Sequence, residues 1–95
     1  MDLNLKGKTA IVTGGSTGIG AGISEYLAAE GVNVAVNYIV DEQQVNEFVD
    51  GLNTRFGTRC TAVYADVSKP EDNDAMVNAV LEEYGIIDIL VNNAG

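Results

Sequence analysis

Residues 9–20 read "TAIVTGGSTGIG": a four-residue apolar run, a threonine, and then four glycines within seven positions. The apolar run reads as a buried strand and the glycines as a sharp turn. From Gly18 onward, Ile19, Ile23 and Leu27 recur every fourth residue, the period of a helix face. The stretch is therefore a strand, a glycine turn and a helix. Such a turn leaves the helix's first backbone N–H groups unpaired beside the positive end of its dipole, which suits a phosphate. Gly14 and Gly15 allow the turn, Gly18 and Gly20 remove side chains between helix, strand and ligand, and the Ser16 and Thr17 hydroxyls can bond ribose or phosphate oxygens.

Further along, the period changes in a regular way. Gly31 closes the first helix, and "VNVAVNY" (32–38) alternates Val32, Val34 and Val36 as a second strand. Asp41 with Gln44 forms a capping box opening a helix with the apolar stripe Val45, Phe48, Val49, Leu52 and Phe56. Gly51 interrupts that helix and Gly57 ends it. "RCTAVYA" (59–65) is a third strand, and Ser68 with Glu71 marks a second capping box, with Pro70 in the first turn. Val77, Val80, Leu81 and Tyr84 are the expected buried face of the third helix. Gly85 stops it, and "IIDILVN" (86–92) reads as a strand buried on both faces. The pattern βαβαβαβ implies an α/β fold: a Rossmann-type, doubly wound parallel sheet with right-handed crossovers, of which residues 1–95 supply one half of a single domain. The first two helices are expected on one face and only the third on the other, which leaves the last strand as an exposed, very apolar edge.

Composition removes several function classes. Five basic against fourteen acidic residues give a net charge of −9, which opposes binding to nucleic acid and to anionic membranes. No run of eighteen apolar residues exists, and "MDLNLKGK" lacks the order of a secretory signal, so a cytoplasmic location is the expectation. Cys60 is the single cysteine and histidine is absent, which excludes an internal disulfide and a Cys/His zinc site. No metal ligands are assigned. Gly15 to Gly20 has P-loop spacing, but Ala21 and Gly22 follow where Lys and Ser or Thr are needed. The order Gly14, Gly18, Gly20 also departs from G-x-G-x-x-G.

Three motifs together resemble the short-chain dehydrogenase/reductase family: "TGGSTGIG" (13–20) after the first strand, "ADV" (65–67) after the third and "NNAG" (92–95) after the fourth. Each falls at the carboxyl end of a strand, where open α/β sheets bind ligands. The resemblance implies a nicotinamide dinucleotide, NAD or NADP, as cofactor. It places Gly14, Ser16, Thr17, Gly18, Ile19 and Gly20 around the adenosine ribose and pyrophosphate, with the Ile19 N–H facing a phosphate. Asp66 accepts from the adenine amino group, Val67 offers its N–H to the ring, and Asn93, Ala94 and Gly95 pass near the nicotinamide ribose. Asn37 and Tyr38 end the second strand, where Asn37 can bond a ribose. Asn92 is expected to tie strands together. Each motif also has a plainer reading: the glycine turn as tight packing, Asp66 as a loop acid or accessory cap, "NNAG" as a turn. Tyr26, Tyr64 and Tyr84 fit packing better than chemistry.

The family's chemistry is proton transfer by a tyrosine with a lysine four residues later, aided by a serine, while hydride moves to or from nicotinamide. No Tyr-x-x-x-Lys occurs in this chain, so no catalytic residue is assigned within it. Two explanations stand. The chain is the cofactor-binding part of a longer oxidoreductase acting on a secondary alcohol or ketone of sugar, polyol or 3-oxoacyl type, inactive by itself; or it is a small non-catalytic dinucleotide-binding module. The first is favoured, with the polypeptide continuing past Gly95 and, by resemblance, assembling as a homotetramer. Tyr38 replaces the aspartate usual for NAD, and Ile39 and Thr17 replace the cations usual for NADP. With Asp41 and Glu42 nearby, NAD is expected to be preferred.

Overall fold

The computed structural model describes residues 4–94. Four strands, β1 (Thr9–Val12), β2 (Asn33–Tyr38), β3 (Thr61–Tyr64) and β4 (Ile89–Val91), alternate with three helices, α1 (Gly18–Ala29), α2 (Glu42–Phe56) and α3 (Pro70–Tyr84). All pairings are parallel in the order β3-β2-β1-β4, with Ile11 in register with both Ala35 and Leu90. The chain therefore steps outward from β1 to β3 and then crosses back to the other side of β1. This reversal opens a crevice at the carboxyl ends of β1 and β4.

The helices divide as the right-handed path requires. Leu27 and Ala28 of α1 and Val45, Val49 and Leu52 of α2 pack with Ala10, Val12, Val34 and Val36 on one face. Met76 and Val80 of α3 pack with Ile11, Ala35 and Ala65 on the other. β2 is consequently buried on both faces, with Val34 and Val36 toward α1 and α2 and Ala35 toward α3.

Several local expectations are corrected. Ile19 does not belong to the buried stripe of α1: its side chain is 78% exposed, because the helix turns Gly20, Ser24, Leu27 and Ala28 to the sheet and Ile19 lies about 100° away around the axis. On α3 the buried face is rotated by one residue, so Met76 and Val80 are covered while Val77 and Leu81 are exposed. β4 is not buried on both faces. Leu90, on the same sheet face as its register partner Ile11, is 64% exposed because α3 packs over the centre of the sheet and does not reach it.

The capping boxes also differ. Asp41 caps α2 through Oδ1, which accepts from the Gln44 N–H at 3.1 Å, but the Gln44 side chain turns elsewhere. At α3 the N-cap is Lys69, and Ser68 bonds to Asp66 instead of to the helix.

Candidate cofactor site

Gly14 and Gly18 adopt positive φ of 59° and 53°, which bends the chain from β1 into α1 with little steric cost. A buried hydroxyl fixes the bend: Ser24 Oγ donates to Gly15 O at 2.9 Å. Gly20 sits so close to the turn that a Cβ there would overlap the Gly14 carbonyl and lie 2.7 Å from Asn93 Nδ2. Gly18, by contrast, faces open space. The turn is thus compact behind and open in front.

The fourth loop is fastened to this turn. Thr13 Oγ1 accepts the N–H groups of Asn93 at 2.9 Å and Ala94 at 3.0 Å, while Asn93 Nδ2 donates to Gly14 O at 3.2 Å. Thr13 Oγ1 also approaches Val91 O at 3.3 Å and Asn92 Oδ1 at 3.5 Å, so Asn92 does join β1 to β4. From the other side, Asn37 Oδ1 accepts the Gly14 N–H at 3.1 Å, and Asn37 Nδ2 donates to Val63 O and Ala65 O. Asn37 is only 2% exposed and both its amide hydrogens are used. The Asn37 side chain is an internal strut between the glycine turn and the end of β3.

Beyond the end of β2 lies a cavity of about 360 Å³ whose lining includes Gly14, Ser16, Tyr38, Ile39, Asp41 and Gln44. Gln44 Nε2 donates to Ser16 O at 3.2 Å, tying α2 to the glycine turn. Asp41 reaches this wall in a left-handed conformation, with φ 61°. Tyr38 stacks edge-on to Tyr64, with ring centroids 6.0 Å apart. Lost hydration, then the Glu42 and Tyr64 charges, raise its phenol above the ordinary value of 10.0, so it stays neutral.

A second cavity, of about 570 Å³, lies between α3 and β4, lined by Thr13, Val67, Asn92 and Ala94 above an apolar floor that includes Met76 and Leu90. Asp66 stands at the turn after β3. Its Oδ1 accepts from Ser68 Oγ at 2.6 Å and Ser68 N at 3.0 Å. These bonds, the hydroxyl foremost, hold its carboxyl below the ordinary 3.8. It is an anion at neutral pH.

Every proposed ligand residue within the described range therefore falls at the carboxyl edge of the sheet: Gly14 to Gly20 after β1, Tyr38 at the end of β2, Asp66 and Val67 after β3, Asn93 and Ala94 after β4. Gly95 lies outside the described residues. Thr13, Ser24, Gln44, Asp72 and Asn73, which shape these loops, were not singled out as site residues by sequence. Only Gln44 carried a local signal, as a cap. The arrangement fits an elongated anionic ligand: backbone packed behind the turn, open space at Gly18, and hydroxyl and amide groups on the walls of two cavities. Among the described residues, no helix is long and apolar enough to cross a membrane.

A four-stranded parallel sheet with this glycine turn at its reversal point defines a Rossmann-type α/β protein. The chain belongs to the short chain dehydrogenase family, which it matches over residues 8–95. It is 47% identical over 92 residues to 3beta-hydroxysteroid dehydrogenase 1 of Eggerthella lenta, covering 97% of this chain and 35% of that protein. It is 44% identical to the short-chain dehydrogenase/reductase homolog YusS of Bacillus subtilis, covering 97% of this chain and 84% of that one. The L-sorbose reductase of Gluconobacter frateurii, solved with NADPH and L-sorbose, superimposes with a TM-score of 0.93 at 41% identity, over 100% of this chain and 36% of the reductase. The chain thus spans about a third of the length of the dehydrogenase and the reductase, and most of the length of YusS.

Proposed function

We propose that residues 1–95 form the dinucleotide-binding part of an NAD(P)-dependent oxidoreductase acting on a secondary alcohol or ketone of sugar, polyol or 3-oxoacyl type. The observation that supports this reading is the open front of the glycine turn at Gly18, where a Cβ would meet nothing of the protein, beside the carboxyl ends of β1 and β4. The bound nicotinamide would supply hydride acceptance or donation. Gly14, Ser16, Thr17, Gly18, Ile19 and Gly20 surround the pyrophosphate and adenosine ribose, with the Ile19 N–H facing a phosphate. Asp66 accepts from the adenine amino group, Val67 N–H donates to its ring, and Asn93, Ala94 and Gly95 pass beside the nicotinamide ribose. Asn37 serves by holding Gly14 in place.

Proton transfer requires groups that this sequence lacks, and we assign them to a serine and a Tyr-x-x-x-Lys beyond Gly95. The same reading makes the protein a cytoplasmic homo-oligomer, supported by family resemblance. NAD is preferred over NADP, because the cavity beside Tyr38 and Ile39 has no lysine or arginine on its wall and carries Asp41. Calorimetric titration of the full-length protein with both cofactors tests the proposal. Tighter NAD binding is expected; tighter NADP binding rejects the preference, and binding of neither rejects the function. A second reading, a dinucleotide-binding module without turnover, draws support from YusS, 84% of which this chain covers. Turnover of a ketone with NADH by the full-length protein would exclude it.

A further inference from the structure

The turn from Asp66 to Lys69 is held from outside itself. Asp72 Oδ2 accepts the backbone N–H of Asp66 at 2.9 Å, and Asn73 Nδ2 donates to the backbone carbonyl of Val67 at 2.9 Å. Both anchors stand in the first turn of α3, and both are half-buried. Their direction is unusual. A carboxylate at the third helical position ordinarily turns back to the N-cap N–H. Here the N-cap Lys69 has no side-chain cap, and Asp72 reaches past it to Asp66. Inside the turn, Ser68 fixes the Asp66 carboxylate, and Lys69 N donates to Asp66 O at 2.9 Å. Asp66 and Val67, the two residues assigned to adenine, are thus each gripped through the backbone by a separate side chain of α3.

We infer that Asp72 and Asn73 are positioning residues for adenine recognition, a role that rests on the dinucleotide reading above. Asp72 sets the direction of the Asp66 carboxylate by fixing the N–H of the same residue, and Asn73 sets the plane of the peptide that follows Val67. Neither needs to touch the ligand. What they govern is the contact between Asp66 and the exocyclic amino group of the base.

The test compares NAD with its purine analogue, in which a hydrogen replaces that amino group and the ring nitrogens are unchanged, by calorimetry on the full-length protein. The parent should bind NAD about tenfold more tightly than the analogue, the worth of one hydrogen bond to a carboxylate. Asp72→Ala should reduce this ratio to about twofold by weakening NAD binding alone. Asp72→Asn, which keeps an acceptor oxygen, should preserve it, and Asn73→Ala should lower it. A merely structural role would weaken both ligands alike and leave the ratio unchanged, and that result overturns the inference, as does loss of the ratio in Asp72→Asn. If the parent binds both ligands equally, the adenine role of Asp66 falls with it. If the parent binds neither, the dinucleotide reading itself fails.

Discussion

Gly20 and Gly14 meet so closely that a Cβ on the first would overlap the carbonyl oxygen of the second. The contact joins the start of α1 to the end of β1 and holds Gly14 O where Asn93 Nδ2 can donate to it. Gly20→Ala is expected to destabilise the fold by about 1–3 kcal/mol, since the colliding atom is backbone and cannot rotate aside. Urea denaturation measures the loss. An unchanged midpoint would mean the turn relaxes freely.

Thr13 carries two backbone donors on one hydroxyl oxygen. Thr13→Val keeps the shape and leaves the Asn93 and Ala94 N–H groups without that partner, at a cost of about 1–3 kcal/mol. Thr13→Ser should restore most of it. Equal stability of the valine variant and the parent would show that water replaces the hydroxyl.

The Asp66 carboxyl titrates below its ordinary value, chiefly through the Ser68 hydroxyl. Because the folded pKa is depressed, its contribution to stability is present above the unfolded value of 3.8 and is lost as pH falls through the folded value. Ser68→Ala should move the carboxyl upward toward 3.8, leaving the weaker backbone bond from residue 68 in place. Carboxyl-carbon NMR titration of both proteins reads the shift directly. No upward movement would assign the depression to another group.

Ile39 lines the cavity beyond β2 where the second ribose substituent of an NADP molecule is expected. Ile39→Arg should shift preference toward NADP by about 1 kcal/mol or more through a charge-assisted bond to phosphate. Competition between the two cofactors for parent and variant gives the ratio. A variant with the parent's preference would move the 2′-position away from Ile39.

Gly51 lies inside α2 at an ordinary helical φ, and a Cβ there meets nothing within 4 Å. Gly51→Ala should stabilise the protein by about 0.5–1 kcal/mol by removing unfolded-state freedom. The urea midpoint should rise with an unchanged slope.

The path of the chain was legible because it is written in local terms: glycine spacing marks the turn, and the change from helical to strand periodicity marks each crossover. The edge position of β4 followed from connectivity alone. Facing was less legible. On α3 the apolar residues Met76, Val77, Val80 and Leu81 span a stripe too wide to orient the helix by pattern, and contact with Ala35 and Ala65 chose Met76 and Val80. In β4 the unbroken apolar run reads as a strand buried on both faces while connectivity puts it at an exposed edge, and the exposed Leu90 follows connectivity. The site divides in the same way. Glycines and "ADV" are local signals, whereas Thr13 acts on residues 80 and 81 positions away and Asn37 on Gly14 and Ala65, contacts that exist only once the sheet has formed.

Asn37 has a kinetic consequence. Its amide receives the N–H of Gly14 and grips two carbonyls of the third strand region from a position within the sheet. The first and third loops cannot therefore fray one at a time. The amide proton of Gly14, though it belongs to a glycine-rich bend at the surface, should exchange with deuterium at the slow rate of the central strands, because its release requires the sheet itself to part.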